Sequence, residues 1–374
     1  MLNNIQIWLP GYIKQKLQRP LSAESKPLHI IFCIADHFEP RVGKVGVEKE
    51  IERVDRWIKG YTELINAHKD CEGMPPKYTF FYPIDEYTPA VLEKISVFFK
   101  KGLGEVEIQL HHENDSRDSL KEKLEYAKEL FCRYGLLSRD KNGEGIRYGF
   151  IHGNWALDNS RADGKWCGVN NELEALRETG CYADFTLPSA PSDTQTAKIN
   201  SLYYAKDTPG PKSHNTGIDV EKGREPCGDL MIIQGPLALN WKRKKFGVFP
   251  RIENSGISFN NPPTPDRIDL WINQNIAVKG RPEWIFVKVY AHGARDQHLL
   301  DEYFQNLDSM FTYLETKYND GANYSLHYTT AREMYNIIKA AEAGEKRQPG
   351  EYRAYLLETN IRLVNREKIA AAVS

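Results

Sequence analysis

Apolar residues fall along this chain in two alternating rhythms. Continuous or every-second-residue runs mark strands, and three- and four-residue spacings mark helices. Residues 29–36 form a nearly unbroken apolar run and predict a buried strand that stops at Asp36-His37. Ile51, Val54, Trp57, Ile58, Tyr61, Leu64 and Ile65 then share one helical face. A second strand, 78–84, halts at Asp85-Glu86, and Thr88-Pro89 opens a helix reaching Phe99, with proline at its favoured first position. In a third strand Val106, Ile108 and Leu110 alternate with polar neighbours before the pattern breaks into His111-His-Glu-Asn-Asp115. A charged helix over 116–134 follows, and a fourth strand, 147–151, ends at His152-Gly-Asn-Trp155. Further strands at 182–187, 230–233, 284–291 and 324–328 alternate with helices at 171–179, 265–276, 299–318 and 331–343.

This alternation argues for a parallel sheet. Right-handed crossovers give either an open doubly wound sheet or a closed barrel, and in both the chemistry gathers at the carboxyl ends of the strands. Two stretches interrupt the rhythm. Residues 188–228 are rich in Pro, Ser, Thr, Gly and Asp and too long for an ordinary connection, so they read as a functional or disordered loop. Residues 247–264 are again rich in proline and asparagine.

The histidines change the picture. Of ten, five (His37, His111, His112, His152, His292) lie at or within two residues of a predicted strand's carboxyl end. Random placement would put only about one there, so these ends are expected to share a polar site. Imidazoles and carboxylates together suit a divalent ion such as zinc, manganese, cobalt or nickel. Three protein ligands with an open position leave room for a water, a neighbouring carboxylate can take its proton, and a histidine can protonate a leaving group. The parts for metal-assisted hydrolysis are present. There is no GxSxG, HExxH, Walker or GxGxxG motif. Paired carboxylates such as Asp85/Glu86 keep a metal-free glycoside hydrolase open as an alternative, and so does a non-catalytic barrel that binds glycan or a partner.

Composition narrows the classes. With 374 residues, 27% charged, a net charge of -1 and no basic run longer than Lys242-Arg-Lys-Lys245, nucleic acid is not the expected partner. The amino terminus lacks a charged n-region and an adequate apolar core. With no span elsewhere, neither a secretory signal nor a transmembrane segment is read, and a cytoplasmic location is expected. Trp8, Leu9, Tyr12 and Ile13 read as a packed or frayed end rather than a membrane anchor. Six cysteines without CxxC pairing read as reduced thiols.

Over roughly 29–330 the chain resembles the polysaccharide deacetylase (NodB-like) superfamily. The residues that carry the resemblance are Ala35-Asp-His-Phe-Glu-Pro40, Leu110-His-His-Glu-Asn-Asp115, Ile151-His-Gly-Asn-Trp-Ala-Leu-Asp-Asn-Ser160 and Thr330-Ala-Arg-Glu-Met334. The resemblance implies a distorted seven-stranded (β/α) barrel with long loop insertions over 29–345, between an N-terminal extension (1–28) and a C-terminal tail (346–374). It implies one divalent metal, zinc foremost, held by His37, His111 and Asp115, with His112 and Glu113 as close competitors for the ligand positions after the third strand. Asp36 would be the general base and His292 the general acid. His112, His152, Asn154 and Trp155 would line the substrate pocket. The family's aspartate after its late histidine is Gly293 here, and its fourth-strand arginine motif is replaced by His152-Gly-Asn-Trp155. The implied activity is removal of an N-acyl group from a sugar or glycan precursor, with a carbohydrate as the partner.

Overall fold

The computed structural model describes residues 4–18, 26–143 and 145–360. The expected extension (1–28) and tail (346–374) therefore lie partly outside the described residues.

The chain opens with α1 (Ile5–Gln18), β1 (Leu28–His37), α2 (Val47–Ile65), β2 (Tyr78–Pro83), α3 (Pro89–Phe99) and β3 (Gly104–Leu110). It continues through α4 (Arg117–Arg133), β4 (Ser138–Asp140), β5 (Ile146–His152), α5 (Glu172–Glu178), β6 (Cys181–Asp184), β7 (Leu202–Ala205) and β8 (Ile218–Asp219). After β9 (Leu230–Ile233) come β10 (Ala238–Lys245), β11 (Phe249–Glu253), β12 (Gly256–Ile257), α6 (Pro265–Ile272) and β13 (Trp284–Ala291). The last elements are α7 (Gln297–Tyr318), β14 (Tyr324–Thr329), α8 (Ala331–Ala343) and β15 (Leu357–Thr359).

β1 is the centre of a mostly parallel sheet. β13 pairs along one side of it, from His29↔Trp284 to Asp36↔Ala291. On its other side β14 takes residues 28–33 and β2 takes 35–37. From β2 the sheet runs through β3, β5, β6 and β9 and ends in the antiparallel strands β7 and β8, while β12 adds to β13. Among the described residues the edge strands β12 and β8 do not pair; the fold is mixed α/β, with eight helices and one large, mostly parallel sheet, and closure into the expected seven-stranded barrel is not shown. The sheet does curl. The Lys288 ammonium on β13 donates to the carbonyls of Phe185 and Leu187, just past β6, at 2.5 Å each.

Alternation along the strands sorts residues onto two faces. Ile31, Cys33 and Ala35 of β1 face the concave side with Phe81, Ile151 and Phe286. Helix α8 fills that side with Met334, Ile337 and Ile338. It begins at a capping box between Thr330 and Glu333. The buried Arg332 guanidinium then clamps Glu105 of β3 at 2.6 Å. Ile30, Phe32 and Ile34 point the other way, into a core shared with Trp57 of α2, Leu124 of α4 and Leu307 of α7.

The 188–228 stretch is not a free loop. It contains β7 and β8, and Ser189, Ala190, Thr194, Gln195 and Thr196 are buried. Helix α1 is packed, with Trp8 fully buried against Ala190, Leu237 and Ala238. All six cysteines are free thiols.

Candidate functional site

The same alternation decides which predicted residues meet. His37 follows Ala35 onto the concave face, His292 follows Tyr290, and His111 follows Gln109. Each side chain therefore enters one mouth at the carboxyl ends of β1, β13 and β3. Glu39 joins them, with its Oε1 3.3 Å from His111 Nε2 and 4.0 Å from His37 Nδ1. Gln109 Nε2 donates to that oxygen at 2.6 Å. Asp85, after β2, accepts the His111 backbone N–H at 2.9 Å and lies 3.1 Å from its Nδ1, which turns Nε2 towards Glu39.

The mouth is walled by aromatic rings. The His37 and His292 rings stack 4.9 Å apart, and both pack against Trp155 and Tyr290. The Trp155 indole N–H donates to His37 Nε2 at 3.1 Å. His37 Nδ1 is buried without a partner. Gly153 is required here, because a Cβ would lie 2.3 Å from the His111 ring.

Charge is unevenly set in this mouth. Burial opposes a charge on His111, but hydrogen bonds to Asp85 and Glu39 outweigh it and raise its pKa to about 10. Burial likewise opposes the Glu39 charge, yet His111, His37 and His292 bring its pKa down to about 2. His37 and His292 are held towards the neutral form by burial. Neutral imidazoles and an ionised carboxylate are the states a cation needs. His37, Glu39 and His292 have potential ligand atoms within 4.8 Å of one another.

Asp36 lies on the other face of the strand, fully buried. Tyr78 Oη donates to it at 2.6 Å, and the Gly293 N–H reaches both its oxygens at 2.9 and 3.0 Å. Burial raises its pKa to about 7 despite these donors. It backs the mouth through the Gly293 N–H rather than lining it with the residue expected beside it, His37. Gly293 must be glycine, since a Cβ would sit 2.3 Å from Asp36 Oδ2.

His112 and His152 also face outward, away from the mouth they were expected to line. They form a second group with Cys167 and Glu172, all four buried and with potential ligand atoms within 4.8 Å of one another. His112 Nε2 lies 3.2 Å from Glu172 Oε1. The Cys167 sulfur receives the N–H groups of Asn159 and Val169 at 3.3 and 3.4 Å. His152 Nε2 is buried without a partner, while its Nδ1 takes two backbone N–H groups at 3.3 Å. This buried His/Cys/Glu group could hold a metal ion.

Asp115 stands behind the second group, away from the mouth. Asn114, at φ 55°, turns the chain so that the Asp115 carboxylate meets Lys123 and Ser119 and lies 3.2 Å from His112 Nδ1. The expected trio of His37, His111 and Asp115 is therefore split, and Glu39 occupies the carboxylate position beside the two histidines. Asn154 and Trp155 are half-buried beside the mouth. Glu39, Asp85, Gln109 and Tyr290 were not singled out as ligands or lining. Period-2 counting from Ala35 and from Glu107 would have pointed to His37, Gln109 and His111 together.

No protein-family model matches the chain, and no curated protein does. Among solved structures it is similar to one from Mycobacterium smegmatis described as a "putative polysaccharide deacetylase". That chain is 12% identical, the match covers 88% of this chain and 95% of that one, and the TM-score is 0.43. A likeness that remote carries no argument about what this chain does. No helix among the described residues is long and apolar enough to cross a membrane.

Proposed function

We propose that the chain is a metal-dependent hydrolase that removes an N-acyl group, most simply acetyl, from a sugar or glycan precursor. The observation that carries this reading is the convergence of His37, Glu39, His111 and His292 in one half-open mouth. The sequence resemblance to the polysaccharide deacetylase superfamily supplies the substrate class. We read the curled sheet as a distorted, unclosed form of that superfamily's barrel.

Glu39, His37 and His292 would hold a divalent ion, zinc being the best match for this nitrogen and oxygen set. The orphaned Nδ1 of His37 fits that role, with the ring's proton moved to Nε2 and the Trp155 bond given up. Such an ion would polarise an acyl carbonyl and lower the pKa of water. His111 is kept cationic by Asp85 and Glu39, so it supplies positive charge to a developing oxyanion and a proton to the departing amine. Gln109 fixes Glu39, and Trp155 and Tyr290 offer flat apolar faces to a sugar ring. Asp36 positions His292 through the Gly293 backbone.

The test is acetate release from N-acetylated oligosaccharides, with elemental analysis of the same full-length preparation. Glu39→Gln should lower the metal content and cut turnover by about two to four orders of magnitude, the span expected when acid/base or charge stabilisation is lost. Release of new reducing ends that survives chelation would instead establish the glycoside hydrolase alternative. Carbohydrate binding with neither product would leave a non-catalytic barrel.

A further inference from the structure

The longest basic run in the sequence lies on a hairpin that the hydrolase site does not use. β10 and β11 form a two-stranded sheet apart from the main one. Its tip is a tight turn in which the Val248 N–H bonds the Lys245 carbonyl, with Phe246 and Gly247 both at positive φ. Asn or Gly suits such a turn, and an aromatic residue at φ 52° is a costly choice for the backbone. The turn alone does not explain Phe246, which is 90% exposed. Trp241, Val248 and Phe249 are exposed beside it at 60%, 65% and 55%.

Cations surround these apolar side chains. Lys242, Arg243, Lys244, Lys245 and Arg251 share the hairpin, and none has a carboxylate within ion-pair distance among the described residues. The base is rigid. Asn240 accepts the N–H groups of Lys242 and Arg243 at 3.0 Å, and Glu253 is locked to the buried Arg267 at 2.7 Å. Three residues beyond Glu253 the chain enters β12, which pairs with Tyr290 and Ala291 immediately before His292. The base of the hairpin thus leads directly to the strand that pairs beside Tyr290.

We propose that this hairpin docks the protein on the surface of an anionic phospholipid bilayer. A tip carrying Phe246, Val248 and Phe249 enters the headgroup region, and the five cations above it meet the lipid phosphates. Nucleic acid is the less suited partner, because Val248 offers no face for base stacking and the apolar residues lie at the extremity rather than along a groove. The proposal does not rest on the hydrolase reading.

Co-sedimentation of the full chain with vesicles tests this directly. Phosphatidylcholine vesicles containing about one third phosphatidylglycerol should bind the protein at least about ten-fold more tightly than pure phosphatidylcholine, and added salt should weaken binding. Lys242→Glu with Lys244→Glu should remove most of the binding, and Phe246→Ser should weaken it several-fold while circular dichroism stays unchanged. Absence of binding to the anionic vesicles at low salt overturns the proposal, as does binding unaffected by Phe246→Ser. Tighter binding to single-stranded DNA than to vesicles would overturn it in favour of a nucleic-acid surface.

Discussion

At the scale of single residues, adjacent positions on a strand have opposite fates. Asp36 and His37 are neighbours in sequence, but one is sealed under Tyr78 and Gly293 and the other enters the mouth. His111 and His112 divide in the same way, between Glu39 and Glu172. The cluster of histidines at strand ends was legible in the sequence because residue types survive any folding. The face each one takes was also legible, from period 2, but motif matching treats consecutive residues as one site and hides it. Glu39 lay inside a quoted motif, yet only the curl of the chain after β1 brings it back to His37. Asp36→Asn tests the division. Acting from behind the mouth, the variant should lose about ten-fold or less in turnover while the shape of its pH–rate profile is kept. A loss of a thousand-fold or more, with the acidic limb gone, would return Asp36 to the role of base.

At the scale of elements, β13 and α8 keep their expected bounds, whereas the helix expected over 265–276 ends at Ile272 and the strand expected over 182–187 ends at Asp184. The pieces missed were short or lacked a period. α1 contains Pro10 and has little amphipathic pattern, and it is a helix because Trp8 and Tyr12 are packed by Ala190, Ile199 and Leu237. β7 and β8 are four and two residues long inside a proline- and serine-rich stretch; β7 forms on the edge that β9 offers, and β8 on the edge of β7. Polar residues on a predicted strand carried a further signal. Glu107 of β3 faces the concave side, fully buried, with Tyr182 Oη donating to it at 2.7 Å and the Gly149 N–H at 2.6 Å. Burial raises its pKa to about 8 against these donors. Between about 4.5 and about 8 the folded chain holds a proton there that the unfolded chain has lost, so stability falls as pH rises through that window. Thermal melts from pH 5 to pH 8 should show this decline, and Glu107→Gln should flatten it. An unchanged slope in the variant would assign the pH dependence elsewhere.

At the scale of the whole molecule, strand–helix alternation specified a parallel sheet but left its closure open. Nothing in a strand's own sequence says how far its sheet will curl, because curvature comes from contacts between strands remote in order. Here one such contact is a charged side chain. Lys288 sits in β13 amid apolar neighbours, which reads as a strand defect until its partners are known. Its ammonium reaches across the concave side to the carbonyls of Phe185 and Leu187, and it faces Asp184, while burial pushes its pKa down. Those carbonyls lie on the chain just beyond β6, so this contact draws two separated parts of the sheet together and frames the mouth holding His37 and His292. Lys288→Met keeps the length and apolar stem, but it leaves the buried Phe185 carbonyl without its donor, while the Leu187 carbonyl keeps only the Gly235 N–H. Leaving a buried carbonyl without its donor costs about 1–3 kcal/mol. Urea denaturation should therefore show a midpoint lowered by that amount of stability with an unaltered slope. On the proposed function, the same variant should also lower metal content and acetate release at temperatures where it remains folded, because β13 carries Tyr290 and leads to His292. A variant as stable as the parent would mean that helix α8, clamped through Arg332 and Glu105, sets the curl instead.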